Sequence, residues 1–505
     1  MTFVRTLKTK NGTYLARVKN IRKGGKVLQE HLGMVGKIVG GQEILYGQIQ
    51  NSEITDVSIA GDVLVIRDIM RELELEELLD DHTDGHGKWI AALVLAHCTS
   101  PSSLNRMKRW CRRYGAADLL GIQPEECKRD RFYRALDRLN AQSVAQIERE
   151  LFERMCRSFI RKSDSLFYDV TSIYFCGTNC GIAKSGYNPQ GLGMPQINIG
   201  LAVTKPYGFP IFHQVYDGNI QGARGIDQAL RSLRDFGMKR TTLIWDRGLT
   251  SRSALAKAKS IGLEVIGGLP LKGGLMEKAI EVRGDIATLS NRVRLSTQIL
   301  YAKGFAFDVY GQKGKLVICS NEKERAVLKE LRYDEIENAI SRWEKGLEVK
   351  EQVKRYVNRN RINQHAVSRA ELTDGLYALF STNPSLSTEE IVRTYFQKDK
   401  IEKAFKCLKG MIKVRPVRHW LSDRVRAHVF ICYLSYALFS VLDWKLKSAG
   451  LEMSIEQALD LLENLYRVKI YDPETGNSFV KHTPMSKQQE SVFKAVNKEL
   501  VENVV

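Results

Sequence analysis

Between Ser165 and Pro270 the chain alternates between two hydrophobic periods, and this limits its fold more than any other feature. LFYDVTSIYF, QINIGLAVT and PIFHQVYDG are β-branched and aromatic runs of strand length. A helical stretch follows at about 226–236, then the strand TTLIWDRG, the helix SALAKAKSIG and the strand LEVIGGLP. Three consecutive strands can pair as an antiparallel meander. The later strands, separated by helices, suit parallel crossovers. The pattern predicts an α/β layer built on a mixed sheet.

The chain is 505 residues long, enough for about three domains. YLARVKNIRKGGKVLQEHLGMVG alternates around Gly24-Gly25 and predicts a basic β-hairpin in a region 1–66. From 67 to 160 the period is helical (LELEELLDD, KWIAALVLAHC, VAQIERELFERMCRSFIRK). Trp110, Tyr114, Phe132 and Tyr133 interleave with basic residues there, which suits a helical DNA-binding module or a plain amphipathic linker. Residues 161–270 form the first part of the sheet layer. An insertion, rich in strands at first, fills 271–373, and the strand ALFSTN opens the second part, 374–447. One long helix is expected from Ser387-Thr388, with Glu389 and Glu390 in its first turn. A second should run from Asp423 to Lys447, followed by a helical tail, 448–505.

Three carboxylates stand out. Asp169 lies mid-strand among apolar residues, where an ion is desolvated unless paired or metal-bound. Asp246 ends the strand LIWD, and ligands of α/β sheets gather at strand ends. Glu402 sits in TYFQKDKIEKAFKCLKG. At about 100° per residue this segment places Tyr395, Lys398, Glu402 and Lys409 within roughly 60° of one another. Ile401, Ala404, Phe405 and Leu408 form the adjoining apolar stripe. Packing that stripe on the sheet would bring Glu402 towards the aspartates. An ordinary solvated helix with Lys–Glu pairs gives the same pattern. Three converging carboxylates could hold two Mg²⁺ ions about 3.5–4 Å apart, the arrangement that metal-assisted phosphodiester cleavage uses.

Charge points to the same chemistry. Lys plus Arg number 77 against 58 Asp plus Glu, a net charge of +19 that suits a polyanion such as nucleic acid. Lys398–Arg426 alone carries ten basic and three acidic residues. Trp343 suits either base stacking or a core position. The nine cysteines form no CxxC pair, so their spacing suggests reduced thiols rather than a zinc site. MTFVRTLKTKNG has no signal-like apolar core, and Val429–Leu442 is shorter than the ~20 residues of a membrane span. A cytoplasmic, nucleoid-associated protein with no membrane partner is expected.

Taken together, these motifs resemble the DDE transposases of prokaryotic insertion sequences, in the group with a Tyr-x2-Arg-x3-Glu-x6-Lys signature. Here it reads Tyr395, Lys398, Glu402 and Lys409, with Lys398 in the Arg position. FYDVTS, LIWDRG, GYNPQGLGMPQINIGLAV, VYDGN, DGLYALFSTN and RPVRHWLSDRVRAHVFICYL extend the resemblance over about 160–445. The resemblance implies an RNase H-like core interrupted by a β-rich insertion. It implies two Mg²⁺ ions, for which Mn²⁺ can substitute, on Asp169, Asp246 and Glu402. Tyr395, Lys398, Lys406 and Lys409 would bind double-stranded transposon-end DNA. The implied reaction is cleavage at terminal inverted repeats and joining of the 3′-OH to target DNA, in a homodimeric synaptic complex. Lys398 should grip a phosphate less firmly than Arg, because a point charge replaces a bidentate fork. Two rival readings share the motifs: an RNase H-like nuclease or resolvase without strand transfer, and a non-catalytic DNA-binding descendant of a transposase.

Overall fold

The computed structural model describes residues 2–9, 12–23, 26–39, 42–45, 52–160, 165–176, 179–186, 193–205, 207–220, 222–238, 240–358, 361–473 and 477–504. The Gly24-Gly25 turn and residues 187–192 of the glycine-rich loop lie outside them. The chain divides into two compact units, one of 69–104 and 129–444, the other of 1–68, 105–128 and 445–505.

The larger unit is built on nine strands: β1 (Ser165–Tyr174), β2 (Gln196–Thr204), β3 (Pro210–Asp217), β4 (Thr242–Trp245), β5 (Glu264–Leu269), β6 (Arg292–Arg294), β7 (Ile299–Val309), β8 (Gln312–Ser320) and β9 (Leu376–Ser381). Their order across the sheet is β6-β7-β8-β9-β5-β4-β1-β2-β3. The β1/β4 and β4/β5 pairs are parallel, and the others are antiparallel. The helix Arg252–Ser260 makes the β4-to-β5 crossover. Strand β2 is buried along its whole length, which explains its unbroken apolar run. Gly200 within it is required, because a Cβ would collide with the Tyr168 hydroxyl.

Helices cover the sheet. Tyr433 and Tyr436 of Ser422–Ser448 donate hydroxyl bonds to the carbonyls of Ile211 (3.0 Å) and Gly208 (2.7 Å), fixing that helix along β3. It is long and apolar enough to cross a membrane, but 89% of its most apolar window lies inside the fold. Helix Ala141–Ser158 is anchored to the same strand by Glu148, which accepts from the backbone (2.8 Å) and the ring (2.6 Å) of His213.

Residues 271–373, expected as an insertion with strands first, add those strands to the main sheet. β6, β7 and β8 extend the main sheet beyond β9, because the edge of β9 offers unpaired backbone groups. The rest of the segment is mainly helical, at Gly274–Ile286, Glu322–Glu344 and Gln364–Glu371. Trp343 packs against the small core formed by Ile336, Val353, Tyr356 and their neighbours, so it serves packing rather than base stacking.

The smaller unit contains the expected hairpin, with Lys23 opposite Lys26, inside a four-stranded antiparallel sheet. A second sheet pairs Glu53–Ile59 with Tyr466–Asp472, which pairs in turn with Asn477–His482. The 448–505 tail is therefore not simply helical. Nor is 67–160 one module: 105–128 belongs to the smaller unit and its flanks to the larger. Trp110, Tyr114 and Phe132 are buried, which removes them as exposed stacking groups.

Asp62 lies in the first turn of the helix Gly61–Glu72 and is buried. Desolvation, aided by the nearby Glu463, pushes its carboxyl up to about 7, although the Val63 amide donates to it at 2.7 Å. A raised pKa favours the fold below the unfolded value, and that contribution is lost as pH rises through about 7. Asp62→Asn keeps an acceptor for Val63 and removes the ionisation. Its melting temperature at pH 8 should exceed wild type by roughly 3–6 °C, with little difference at pH 4. A lower melting temperature at pH 8 would contradict this account.

Candidate active site

The parallel pairing of β1 with β4 sets Tyr168 opposite Trp245. Asp169 and Asp246 are the next residues on each strand, so they emerge side by side from strands about 4.8 Å apart. Asp169 is only partly exposed, and its carboxylate accepts a hydrogen bond from the Val170 amide at 2.8 Å. Desolvation pushes its carboxyl up to about 6, and the charges of Asp246 and Glu402 add to the rise. Asp246 goes the other way. Desolvation opposes its charge but is outweighed by the Lys398 ammonium and the Tyr395 hydroxyl, which hold it below the usual carboxylate range.

The segment carrying Glu402 is two helices, Thr388–Phe396 and Asp399–Lys409, rather than one. The first starts at the Ser387 capping box with Glu390. Between the two, Lys398 N–H donates to the Tyr395 carbonyl and Ile401 N–H to that of Lys398, a tighter i→i−3 turn. The expected stripes survive because the turn keeps helical handedness. Ile401, Ala404, Phe405 and Leu408 are all buried.

The polar stripe faces the aspartates. Tyr395 is buried and its hydroxyl donates to Asp246 at 2.9 Å. Gly268 makes room for it, since a Cβ there would lie 2.7 Å from that hydroxyl. Lys398 Nζ lies 3.3 Å from Asp246 and 4.0 Å from Glu402, a cation between two carboxylates. Glu402 itself is 63% exposed. Lys409 reaches β1, donating to Thr171 at 2.5 Å. Thr171 is two residues beyond Asp169 and therefore on the same face of the strand. Lys406 is exposed on the Glu402 helix.

The structure adds a cleft, and to the basic stretch already noted in sequence an inward–outward alternation. A cleft of about 630 Å³ adjoins Asp246, lined in part by Arg247, Lys272, Tyr377 and Tyr395. In the segment after Lys409, Ile412, Val414, Val417 and His419 point inward, while Lys413, Arg415, Arg418 and the 66%-exposed Trp420 point outward. The alternation is legible in KVRPVRHW, whose basic residues form an outward row with Arg415 close enough to affect Lys409.

The donor set is wholly oxygen: one desolvated carboxylate within a strand, one at the end of the neighbouring strand, and a third reachable from a neighbouring helix. Such a set fits a hard divalent cation, and the Lys398 ammonium already occupies a cation's place between two of its members. Sheet and helix thus gather three carboxylates at one place on an α/β scaffold.

The family follows from residues 161–438, more than half of the chain, which match the transposase DDE domain. The chain belongs to this family of transposases. Among solved structures it is similar to a piggyBac transposase synaptic complex with hairpin DNA, at 14% identity, covering 80% of this chain and 79% of that one, with a TM-score of 0.41. A Mos1 transposase paired-end complex with the left transposon end shares 13% identity over 38% of this chain and 57% of that one, with a TM-score of 0.15. No curated protein matches.

Proposed function

We propose that this transposase cuts the terminal inverted repeats of an insertion sequence and joins the freed 3′-OH ends to target DNA. The observation that carries the reading is the side-by-side exit of Asp169 and Asp246 from parallel strands, with Glu402 within electrostatic reach. The partial order β3-β2-β1-β4-β5, with β2 antiparallel to its neighbours, supports an RNase H-like core. The same motifs support membership of the group with the Tyr-Arg-Glu-Lys signature.

Asp169, Asp246 and Glu402 would hold two Mg²⁺ ions, which would activate the attacking oxygen and neutralise the leaving one. The chain's own groups do the rest. The Tyr395 hydroxyl orients Asp246. Lys398 swings from Asp246 and Glu402 to a phosphate, so its positive charge is exchanged rather than lost. Lys409, Lys406 and the outward row Lys413, Arg415 and Arg418 track the DNA backbone. Water attack on the scissile phosphate releases the 3′-OH. Attack of that hydroxyl on a target phosphate forms the new ester and expels a second 3′-OH. Joining two ends implies a homodimer on double-stranded DNA.

The test is cleavage of duplexes carrying the sequences that flank the gene, with Mg²⁺ or Mn²⁺. Nicking at the repeat ends and joined products are expected; cutting without joining would favour the nuclease reading, and binding without cutting the non-catalytic one. Lys409→Ala should weaken binding several-fold and lower the slope of log K against log salt by about 1. An unchanged slope would leave Lys409 as a strut between its helix and Thr171.

A further inference from the structure

His97 meets His419, His428 and Cys432, more than three hundred residues further along the chain, inside the larger unit, and none of the four belongs to the carboxylate site. His428 and Cys432 are one turn apart on the helix Ser422–Ser448, so they share a face. His97 comes from the helix Gly87–Thr99. The Cys432 sulfur lies 4.0 Å from His97 Nδ1 and 3.9 Å from His428 Nε2. One ligand atom from each of the three lies within 4.8 Å of the others. The ring of His419 packs 5.6 Å from that of His428. His419 is only 8% exposed, yet its Nδ1 has no hydrogen-bond partner.

We propose that His97, His428 and Cys432, with His419 as fourth ligand, form a structural Zn²⁺ site. Zinc favours four nitrogen and sulfur ligands in a tetrahedron, with bonds of about 2.0–2.1 Å to nitrogen and 2.3 Å to sulfur. Those bonds place ligand atoms roughly 3.3–3.6 Å apart, so the two sulfur–nitrogen distances must shorten by about half an ångström, the widest of the three separations by up to about one, and the His419 ring must turn its free Nδ1 towards the other three. The spacing rules applied to the sequence look for neighbouring cysteine pairs and miss a set that only the fold assembles.

The ring nitrogens nearest the sulfur donate to the carbonyls of Ile412 (2.9 Å) and Val414 (3.0 Å). Binding moves each ring proton to the other nitrogen of the same imidazole, and Cys432 releases its thiol proton to solvent. Zinc takes the lone-pair direction that each of these nitrogens now aims at its carbonyl, so both rings must turn off Ile412 and Val414 to bind it; the zinc thiolate then carries one net positive charge. The site would tie the segment that follows Lys409 to two core helices, holding the outward basic row in place.

The experiment is metal analysis of the full chain, purified without a metal-affinity tag, after brief exposure to zinc and gel filtration in dilute EDTA. About one zinc per chain is expected in wild type and in the Asp169→Asn/Asp246→Asn double variant, and less than about 0.2 in Cys432→Ser. Zinc below about 0.1 per chain in wild type, or full retention by Cys432→Ser, would overturn the proposal. Should Cys432→Ser fail to fold, cobalt substituted into wild type gives the second readout. A thiolate-to-cobalt charge-transfer band is expected, and its absence refutes the site.

Discussion

Asp169→Asn, Asp246→Asn and Glu402→Gln should each lower cleavage of element ends by about 1,000-fold or more, with end-DNA binding within about three-fold of wild type. The reason is charge, not shape. Each substitution keeps the size of the side chain and removes one hard anionic ligand, so the divalent cation is lost along with the charge that placed it. The DNA-facing lysines remain. Binding would even improve slightly at low salt, because each change removes one negative charge beside a polyanion. Cleavage at fixed enzyme, in Mg²⁺ and in Mn²⁺, checks the first half, and a binding isotherm checks the second. Loss of binding in all three variants would make these residues structural supports rather than ligands.

The second large effect is on stability, and it has opposite signs for the two aspartates. Burial raises the Asp169 carboxyl to about 6, so the folded protein prefers it protonated. Its contribution to stability is full below the unfolded value near 4 and is lost as pH rises through about 6. At neutral pH its ionisation costs the fold on the order of 1–3 kcal/mol. Asp169→Asn removes that cost and should melt about 2–5 °C higher than wild type at pH 7.5 in EDTA. Mg²⁺ should then stabilise wild type and leave the variant unmoved. Asp246 is held below the usual carboxylate range by Lys398 and Tyr395 despite its partial burial. Asp246→Asn should therefore melt lower than wild type, with the gap closing as pH falls through its depressed pKa. Calorimetry from about pH 2 to about pH 8 separates the two cases; a lower melting temperature for Asp169→Asn would show its carboxylate to be held by partners in the fold, against the role of an unsatisfied ligand.

The five strands from Ser165 to Leu269 were legible in sequence because each is a short, dense apolar run bounded by turn residues. Asp169 and Asp246 stood out because charged residues in such runs need a reason. The pairing of their strands was not legible, since parallel register is set by contacts across more than seventy residues. The Tyr395–Lys409 stripe came through because helical periodicity tolerates a tightened turn; the turn itself left no mark in QKDK. The assembly of Tyr466–Asp472 onto Glu53–Ile59 was invisible for the same reason as the strand register: two polar-faced strands from opposite ends of the chain carry no local sign of each other. The cluster around Cys432 was hidden in the same way.

That pairing of Glu53–Ile59 with Tyr466–Asp472 has a consequence for biosynthesis. Ile59 leaves the ribosome more than four hundred residues before its partner Tyr466. Closure of such a contact is slow and arrives last. The larger unit can complete its sheet from residues already made, while the smaller one must wait with an open strand edge until translation is nearly finished. A gene copy interrupted late in its reading frame would thus yield a chain whose carboxylates are all encoded but whose strand Glu53–Ile59 has nothing to close on.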